Sequence, residues 1–520
     1  MKRLLLLGLA LGAAVATTRA CGAVLPVPVE YNTIQSAINA AAHGDIVQVS
    51  PGEYEENISF SGKNIILTSL DPNDPNVVAE TIIYREPERS RRGYAIGTEG
   101  NGSIVTFMAG ETEEAMLTGF TIKYGYGSNL GNNQYFGGGV LCVEASPTIT
   151  KNIICNNLGP NNEGRQGSRN CFGAAIGCLS SRASITHNTM TENSSYVGAG
   201  ICCIDCDAFV AYNNITLNEA YIGAGVICLD GPTVVFCNLI IDNIAYLGGG
   251  VYLRGGKLLN NTLAHNSATE VCGHLYLDMQ QIPGIEHQQT HIANNIFYNA
   301  RAGGILIQGD QTMGISFIHN CLFKNSPGNF ISSLSGEPYD PFPEQMGNIA
   351  EHPLFIDEAL GNYRLQDDSL CIDAGDPAFE PNATWMDMDG NPRVSGVAVD
   401  MGMFENTLCT SPVAHAGTDQ LVLIGQRVML DGTASVFCDP NRLQMFIWDQ
   451  SVGPSARLSN PRAQQPSFTP ELPGEYRFEL MVFDGDNVSR ADEVLVAVLS
   501  EMPEDVNSGT EEASDPNQDL

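Results

Sequence analysis

Positive charge is scarce in this sequence. Its 520 residues hold 25 Lys and Arg against 59 Asp and Glu, a formal net charge of -34. That deficit opposes binding to nucleic acid or to an anionic membrane, where cations must neutralise phosphates. It equally opposes an unaided grip on a polyanionic sugar, which bridging by calcium would relieve. Long apolar runs are missing too. The one apolar stretch, Leu4 to Ala16, falls short of the ~20 residues that cross a bilayer, so no transmembrane span is expected. It follows Met1-Lys2-Arg3 and precedes Thr18-Arg19-Ala20. A charged start, a short apolar core and a small residue at the cut are the marks of a secretory signal peptide over residues 1–20. The protein is therefore expected to be secreted or at the cell surface.

Also missing is the cysteine spacing of a disulfide scaffold. There are 15 cysteines, an odd number, and many recur at one place in a repeat. Repeats of 20–50 residues signal solenoids. The triplets Gly198-Ala199-Gly200, Gly223-Ala224-Gly225 and Gly248-Gly249-Gly250 lie 25 residues apart. Earlier copies begin at Gly137 and Gly173, separated by an insertion near 158–168, and weaker ones follow at Gly273 and Gly303. Each Gly corner leads into a β-branched run, and further on come two asparagines five residues apart: Asn152/Asn157, Asn188/Asn193, Asn213/Asn218, Asn238/Asn243, Asn261/Asn266, Asn294/Asn299 and Asn320/Asn325.

A unit of 25 residues is too short for strand, helix, strand and their turns. It suits one coil of short strands, stacked on its copies at ~4.8 Å. Asparagine at the corners tolerates left-handed backbone angles and bonds to its copies. The expectation is an all-β chain with three-sided coils from about 44 to 330, capped by a helix over 33–42. Period-two alternation puts Val140, Ile176, Ile201, Val226, Val251, Leu275 and Ile305 in one inward column. Cys142, Cys178, Cys203, Cys228, Leu253, Leu277 and Ile307 form a second. Cysteine there exchanges with leucine and isoleucine, which indicates buried thiols acting as small hydrophobes.

The opening TIQSAINAAAHGDIVQVSPGEYEENI and the GGGV…N-x-x-x-x-N repeats resemble secreted right-handed parallel β-helix proteins of the pectate-lyase-like superfamily. The segment HPLFIDEALGNYRLQDDSLCIDAGDP, with MDMDGNPR and VDMGMFE, resembles the closing segment of β-helix proteins of the choice-of-anchor Q type. The resemblance implies a β-helix over 21–405, with an Asp-rich closing segment at 352–405. It is nearly silent on chemistry. Residues 412–499 alternate as a β-sandwich does. Their PxAxAG-x-DQ opening and PG-x-Y-x-F-x-L-x-V-x-DG ending resemble a PKD (polycystic kidney disease) module, an immunoglobulin-like β-sandwich. Trp448 is expected in its core. Residues 500–520 hold seven acids and no base, the composition of a disordered tail.

Chemistry-bearing residues are few. Glu144, Asp205 and Asp230 hold one equivalent repeat position, interrupted by Ser180. Carboxylates on adjacent coils suit calcium or a raised pKa for acid catalysis, and are the catalytic candidates. The competing reading is solvated corners. Arg85, Arg89, Arg91 and Arg92 alternate with Glu86 and Glu88, as self-paired surface charge does. His187, His265 and His319 sit beside the asparagines on separated coils. Asp387, Asp389 and Asn391 have the look of a calcium loop without the later glutamate, against a structural turn. Tyr196, Tyr221 and Tyr246 lie 25 apart before the Gly corner. They form either an outward strip for sugar rings or a corner ladder that stabilises the coil. Val197, Ile222 and Leu247 are expected to point inward. Leu141, Cys202, Ile227, Tyr252, Tyr276 and Leu306 make an outward apolar column, covered by the insertion or the closing segment, or else a contact surface.

Two functions follow. The first is a non-catalytic scaffold or glycan-contacting protein, its partner a polysaccharide or another extracellular or cell-surface component. The second is a polysaccharide lyase or glycoside hydrolase, which rests on fold analogy. No cofactor is implied beyond candidate calcium.

Overall fold

The computed structural model describes residues 22–86, 88–89, 95–96, 102–159, 171–279, 289–310, 312–342, 346–382, 384–406, 412–437, 444–485 and 487–500. The expected signal peptide, most of the insertion, Arg91, Arg92 and nearly all of the acidic tail lie outside them. The chain divides into two compact units after Glu405, with residues 395–397 belonging to the second.

The first unit is a parallel β-helix. One sheet of 11 strands runs from Val24–Val27 to Ile315–Ile318, a second of 10 from Gly52–Glu55 to Cys321–Phe323, and a third of 11 from Ile58–Ser59 to Pro338–Tyr339. A central coil consists of Ile201–Ile204, Phe209–Ala211, Asn214–Thr216 and Glu219–Ile222. Each of these strands pairs in parallel with the one 25 residues on, as in Ile201 with Val226 and Glu219 with Ile244. The coil thus has four strands where three were expected. The segment between the second asparagine and the Gly corner is extended and builds a fourth sheet of 7 strands, from Ser128–Asn129 to Ser267–Val271. Glycine then turns the chain. Gly223 has φ +59, and a Cβ there would lie 2.6 Å from Cγ1 of Ile227.

Both inward columns are buried as expected, from Val140 to Ile305 and from Cys142 to Ile307. The cysteines among them are thiols, and burial pushes that of Cys142 well above its ordinary range. The asparagines form two ladders. Asn188 shows the pattern: its N–H and Nδ2 donate to Oδ1 of Asn213 at 2.9 and 3.1 Å, and Nδ2 also donates to Ile149 O and Thr186 O. The left-handed residue is the one before each rung, such as His187 (φ 56) and Tyr212 (φ 59), rather than the asparagine. That corrects one pair. Asn294 and Asn299 are the left-handed residues (φ 60 and 58), and the rungs are Asn295 and Ala300.

Both ends of the stack are closed. The helix spans Ile34–Ala40, with a Thr33 capping box, and buries Ile34, Ala37 and Ile38 on the core. Glu56 accepts from the N–H groups of Ile34 and Gln35, and Lys63 Nζ donates to three carbonyls of the helix's last turn and its end. These contacts satisfy groups that a helix terminus leaves unpaired. A strand precedes the helix, Val24–Val27 on Ile46–Val49, so the stack begins before the expected residue 44. At the far end Phe317, Phe330 and Phe342 pack together, with rings of Phe317 and Phe342 4.9 Å apart.

The second unit has a four-stranded sheet in the order Gln420–Leu423, Asp492–Leu499, Gly474–Phe483, Met445–Val452, and a smaller pair, Val428–Met429 with Ser467–Phe468. Trp448 is buried, and its Nε1 donates to Ala463 O. Tyr476 is buried and donates its hydroxyl to Leu472 O at 2.8 Å, as the tyrosine corner of such sandwiches does.

Candidate functional site

The fourth sheet carries the tyrosines. Tyr196 and Tyr221 stack with centroids 4.8 Å apart and planes at 7°, and Tyr221 and Tyr246 at 4.5 Å and 6°. The strands dictate this: equivalent residues on adjacent coils repeat at the inter-strand spacing. Tyr221 is 40% exposed, so the stack reaches solvent. Val197 and Ile222 do not enter the main core as expected. They pack against Cys202 and Ile227 on the outside of the third sheet. The outward column is therefore covered there by the fourth sheet, and Leu141, Cys202, Ile227 and Leu306 are buried. Tyr252 and Tyr276 are partly buried and stack at 4.7 Å.

Two residues before the tyrosines runs a second outward column: Ser194, Glu219, Ile244, Ser267 and Arg301, paired rung by rung. Beside it lies a groove of about 240 Å³, where Ile244, Ser267 and Arg301 face the corner residues Leu217, Asp242, His265 and Asn299. Nδ1 of His265 meets Nδ2 of Asn299 at 2.8 Å, and its Nε2 lies 3.9 Å from Glu358 of the closing segment. Arg85, Arg182, Arg254, Arg364 and Arg393 each reach a carboxylate, whereas Arg301 makes no ion pair among the described residues. Desolvation, and then Glu270, pushes the Tyr246 phenol above its ordinary pKa. The tyrosine strip thus adjoins a polar groove holding a guanidinium with no carboxylate partner among the described residues. Position in the repeat pointed to the tyrosines, but nothing in the sequence marked Asp242 or Arg301, which only the fourth sheet brings together.

The other candidates sit elsewhere. Glu144, Ser180, Asp205 and Asp230 occupy left-handed corners after the third sheet (φ 49, 48, 54 and 62). Asp205 accepts from the Ser180 hydroxyl at 3.2 Å. Arg254, from the next coil, donates to both oxygens of Asp230 at 2.8 and 2.7 Å and to Asp278 at 3.1 Å. Asp278 also accepts from Tyr252 at 2.9 Å. A basic residue does stand beside the carboxylates, one position off the repeat. It ties Asp230 into an ion pair and leaves that carboxylate little freedom to exchange a proton or hold calcium.

In the closing segment Asp387 is buried. One oxygen accepts from the N–H groups of Asp389 and Asn391, the other from the Asn391 side chain and Glu405 N. Asp389 pairs with both donors of Arg364. These three residues build a turn, and no group of three metal-ligating residues occurs among the described residues. The segment packs on the outside of the first asparagine corner: Tyr212, Phe236, Cys237 and Ile296 lie in one buried cluster with Phe355, Tyr363, Met401 and Met403. His187 stacks on Tyr212, and His319 Nδ1 meets Ala374 O. His274, unremarked in the sequence, lies fully buried where the second ladder breaks. Nδ2 of Asn266 lies 3.2 Å from its Nδ1, and its Nε2 lies 3.0 Å from Tyr298 O. Burial holds its pKa down at about 3, so the ring is neutral.

Residues 416–498 match a protein family described as a PKD domain. A solved structure, "Solution structure of the PKD domain from KIAA 1837 protein", is 26% identical over 17% of this chain and 87% of that chain, with a TM-score of 0.15. No curated protein matches. Among the described residues no helix is long and apolar enough to cross a membrane.

Proposed function

We propose that this is an exported, non-catalytic β-helix scaffold that contacts a glycan through the Tyr196–Tyr221–Tyr246 strip. The observation that carries the reading is the strip itself: parallel tyrosine rings on adjacent coils, the central one 40% exposed, beside a groove that Arg301 lines. A row of rings at ~5 Å spacing offers successive apolar faces and hydroxyls to the units of one sugar chain. The PKD-like module serves as a spacer or second contact. In this reading the β-helix is of the pectate-lyase-like superfamily with a choice-of-anchor Q closing segment, and the protein works outside the cell.

A screen of neutral and anionic polysaccharides, with and without calcium, tests it for binding and turnover. Tyr221→Ala is the sharpest variant. Loss of one exposed ring weakens binding several-fold and leaves the melting temperature nearly unchanged. A lower melting temperature with unchanged affinity would make the stack a structural ladder and end the proposal. New unsaturated or reducing ends formed at an enzymatic rate would replace it with a lyase or hydrolase.

A further inference from the structure

Cysteine is used in two ways in the β-helix unit. Cys142, Cys178, Cys203 and Cys228 stack in register on one inward face, residue opposite residue. Side chains in such a stack point the same way, which suits packing and makes the disulfide dihedral awkward. Cys321 and Cys371 come from different elements. Cys321 opens the strand Cys321–Phe323, the last of the second sheet, and its Sγ lies 3.2 Å from the carbonyl of Glu351, where the closing segment begins. Cys371 lies in the closing segment itself, anchored by Met401 N donating to its carbonyl and by its own N–H donating to Ser369. Both are buried, at 0% and 1% exposure, in the cluster that joins the closing segment to the coils. Their thiols face each other within hydrogen-bond reach.

We propose that Cys321 and Cys371 form a disulfide that staples the closing segment to the last coil. A thiolate of one attacks a low-molecular-weight disulfide such as oxidised glutathione, and one glutathione thiol leaves. The second cysteine displaces the other, so the pair loses two electrons and two protons and two reduced glutathiones result. Burial sets the order of events: oxidant cannot reach either sulfur once the segment is docked, so the bond forms as docking occurs. The same burial then shields it from reductant. The bond links residues 50 apart in sequence (371 − 321), a loop long enough for a substantial entropic gain in the chain-entropy view.

The test is a peptide map of the full chain, unfolded and refolded in a glutathione redox buffer and then alkylated under denaturing conditions without reductant. The expected result is a linked peptide pair joining Cys321 to Cys371, with the in-register cysteines recovered alkylated. Cys371→Ser should lower the melting temperature of the oxidised protein towards that of the reduced wild type, and reduction should then move the variant little. Recovery of both Cys321 and Cys371 as alkylated thiols overturns the proposal. So does a linkage of either one to any other cysteine. The map reads the wild type directly, so it decides the question even where Cys371→Ser fails to fold.

Discussion

The two asparagine corners are built alike and end differently. At each, a left-handed residue precedes a ladder asparagine whose amide bonds to the next coil. At the first corner the left-handed residues include Tyr212, Cys237, Asn260, Asn294 and His319. All meet the closing segment. Tyr212 Oη accepts from Met386 N, Cys237 Sγ lies 3.5 Å from Met403 O, and Asn294 Oδ1 accepts from Asp376 N. At the second corner the same position holds Glu192, Leu217, Asp242, His265 and Lys324. Leu217 is 54% exposed, and with Asp242 and His265 it lines the groove. Identical backbone geometry therefore leaves the side chain free. One corner has become an internal interface and the other a surface with chemistry.

The largest expected effect tests whether the ladders are equivalent beneath that difference. Asn238→Ala at the first corner removes an Oδ1 that accepts from the N–H and Nδ2 of Asn213. Two buried donors lose their partner, at ~1–3 kcal/mol each. Asn243→Ala at the second does the same to Asn218. Urea unfolding should show losses of roughly 3–5 kcal/mol for both. A small loss at Asn243 alone would mean that the second ladder is decorative and that the corners differ in construction as well as in cover.

The ladders also mark how far the sequence was legible. Spacing by 25 and pairs by five gave the coil, the inward columns and most rungs. The slip at Asn294 and Asn299 has a chemical cause: Asn294 and Asn295 are adjacent, and asparagine suits either the left-handed position or the rung. The fourth sheet escaped because Glu219–Ile222 mixes charge, a small residue and aromatics, and lacks the apolar alternation of a strand facing a core. The cover over the first corner escaped because Tyr212 and Cys237 read equally well as exposed or buried until the closing segment is placed. Arg254 escaped because it pairs with Asp230 from one position off the repeat.

His274 sharpens the comparison at the point where the second ladder fails. Ala300 has no amide to offer, and the imidazole takes its place beside Asn266. The folded pKa, about 3, lies below the ordinary 6.5. The unfolded chain therefore binds a proton that the folded chain refuses between those values. Stability from this group is complete above pH 6.5 and is lost as pH falls towards 3, at up to ~1.4 kcal/mol per unit. His274→Gln keeps an acceptor near Asn266 and loses this titration. The stability gap between wild type and His274→Gln should narrow by roughly 2 kcal/mol from pH 7 to pH 5. Parallel unfolding free energies across that range would show that the ring is not held neutral.

The smallest effect bears most directly on cover. Leu217 and Cys237 occupy the same left-handed position at the two corners, with φ 56 and 51. A Cβ-bearing residue there is strained, and asparagine relieves part of that strain through local hydrogen bonding. At Leu217, which is 54% exposed, substitution by asparagine gives up little burial. Leu217→Asn should stabilise the protein by about 0.5 kcal/mol. Cys237 is fully buried against Met386 and Met403, and burial pushes its thiol up to about 12. Asparagine there is larger, carries a second polar group, and meets a packed wall of the closing segment. Cys237→Asn should destabilise by about 1–3 kcal/mol, the same backbone relief notwithstanding. Thermal denaturation of the two variants side by side measures the contrast. If both changes stabilise, the closing segment does not pack on the first corner as tightly as the structure has it, and the distinction between a covered and an open corner falls. If both destabilise, the left-handed position carries no strain for asparagine to relieve, and the corner residues are held by side-chain contacts at the second corner as they are at the first.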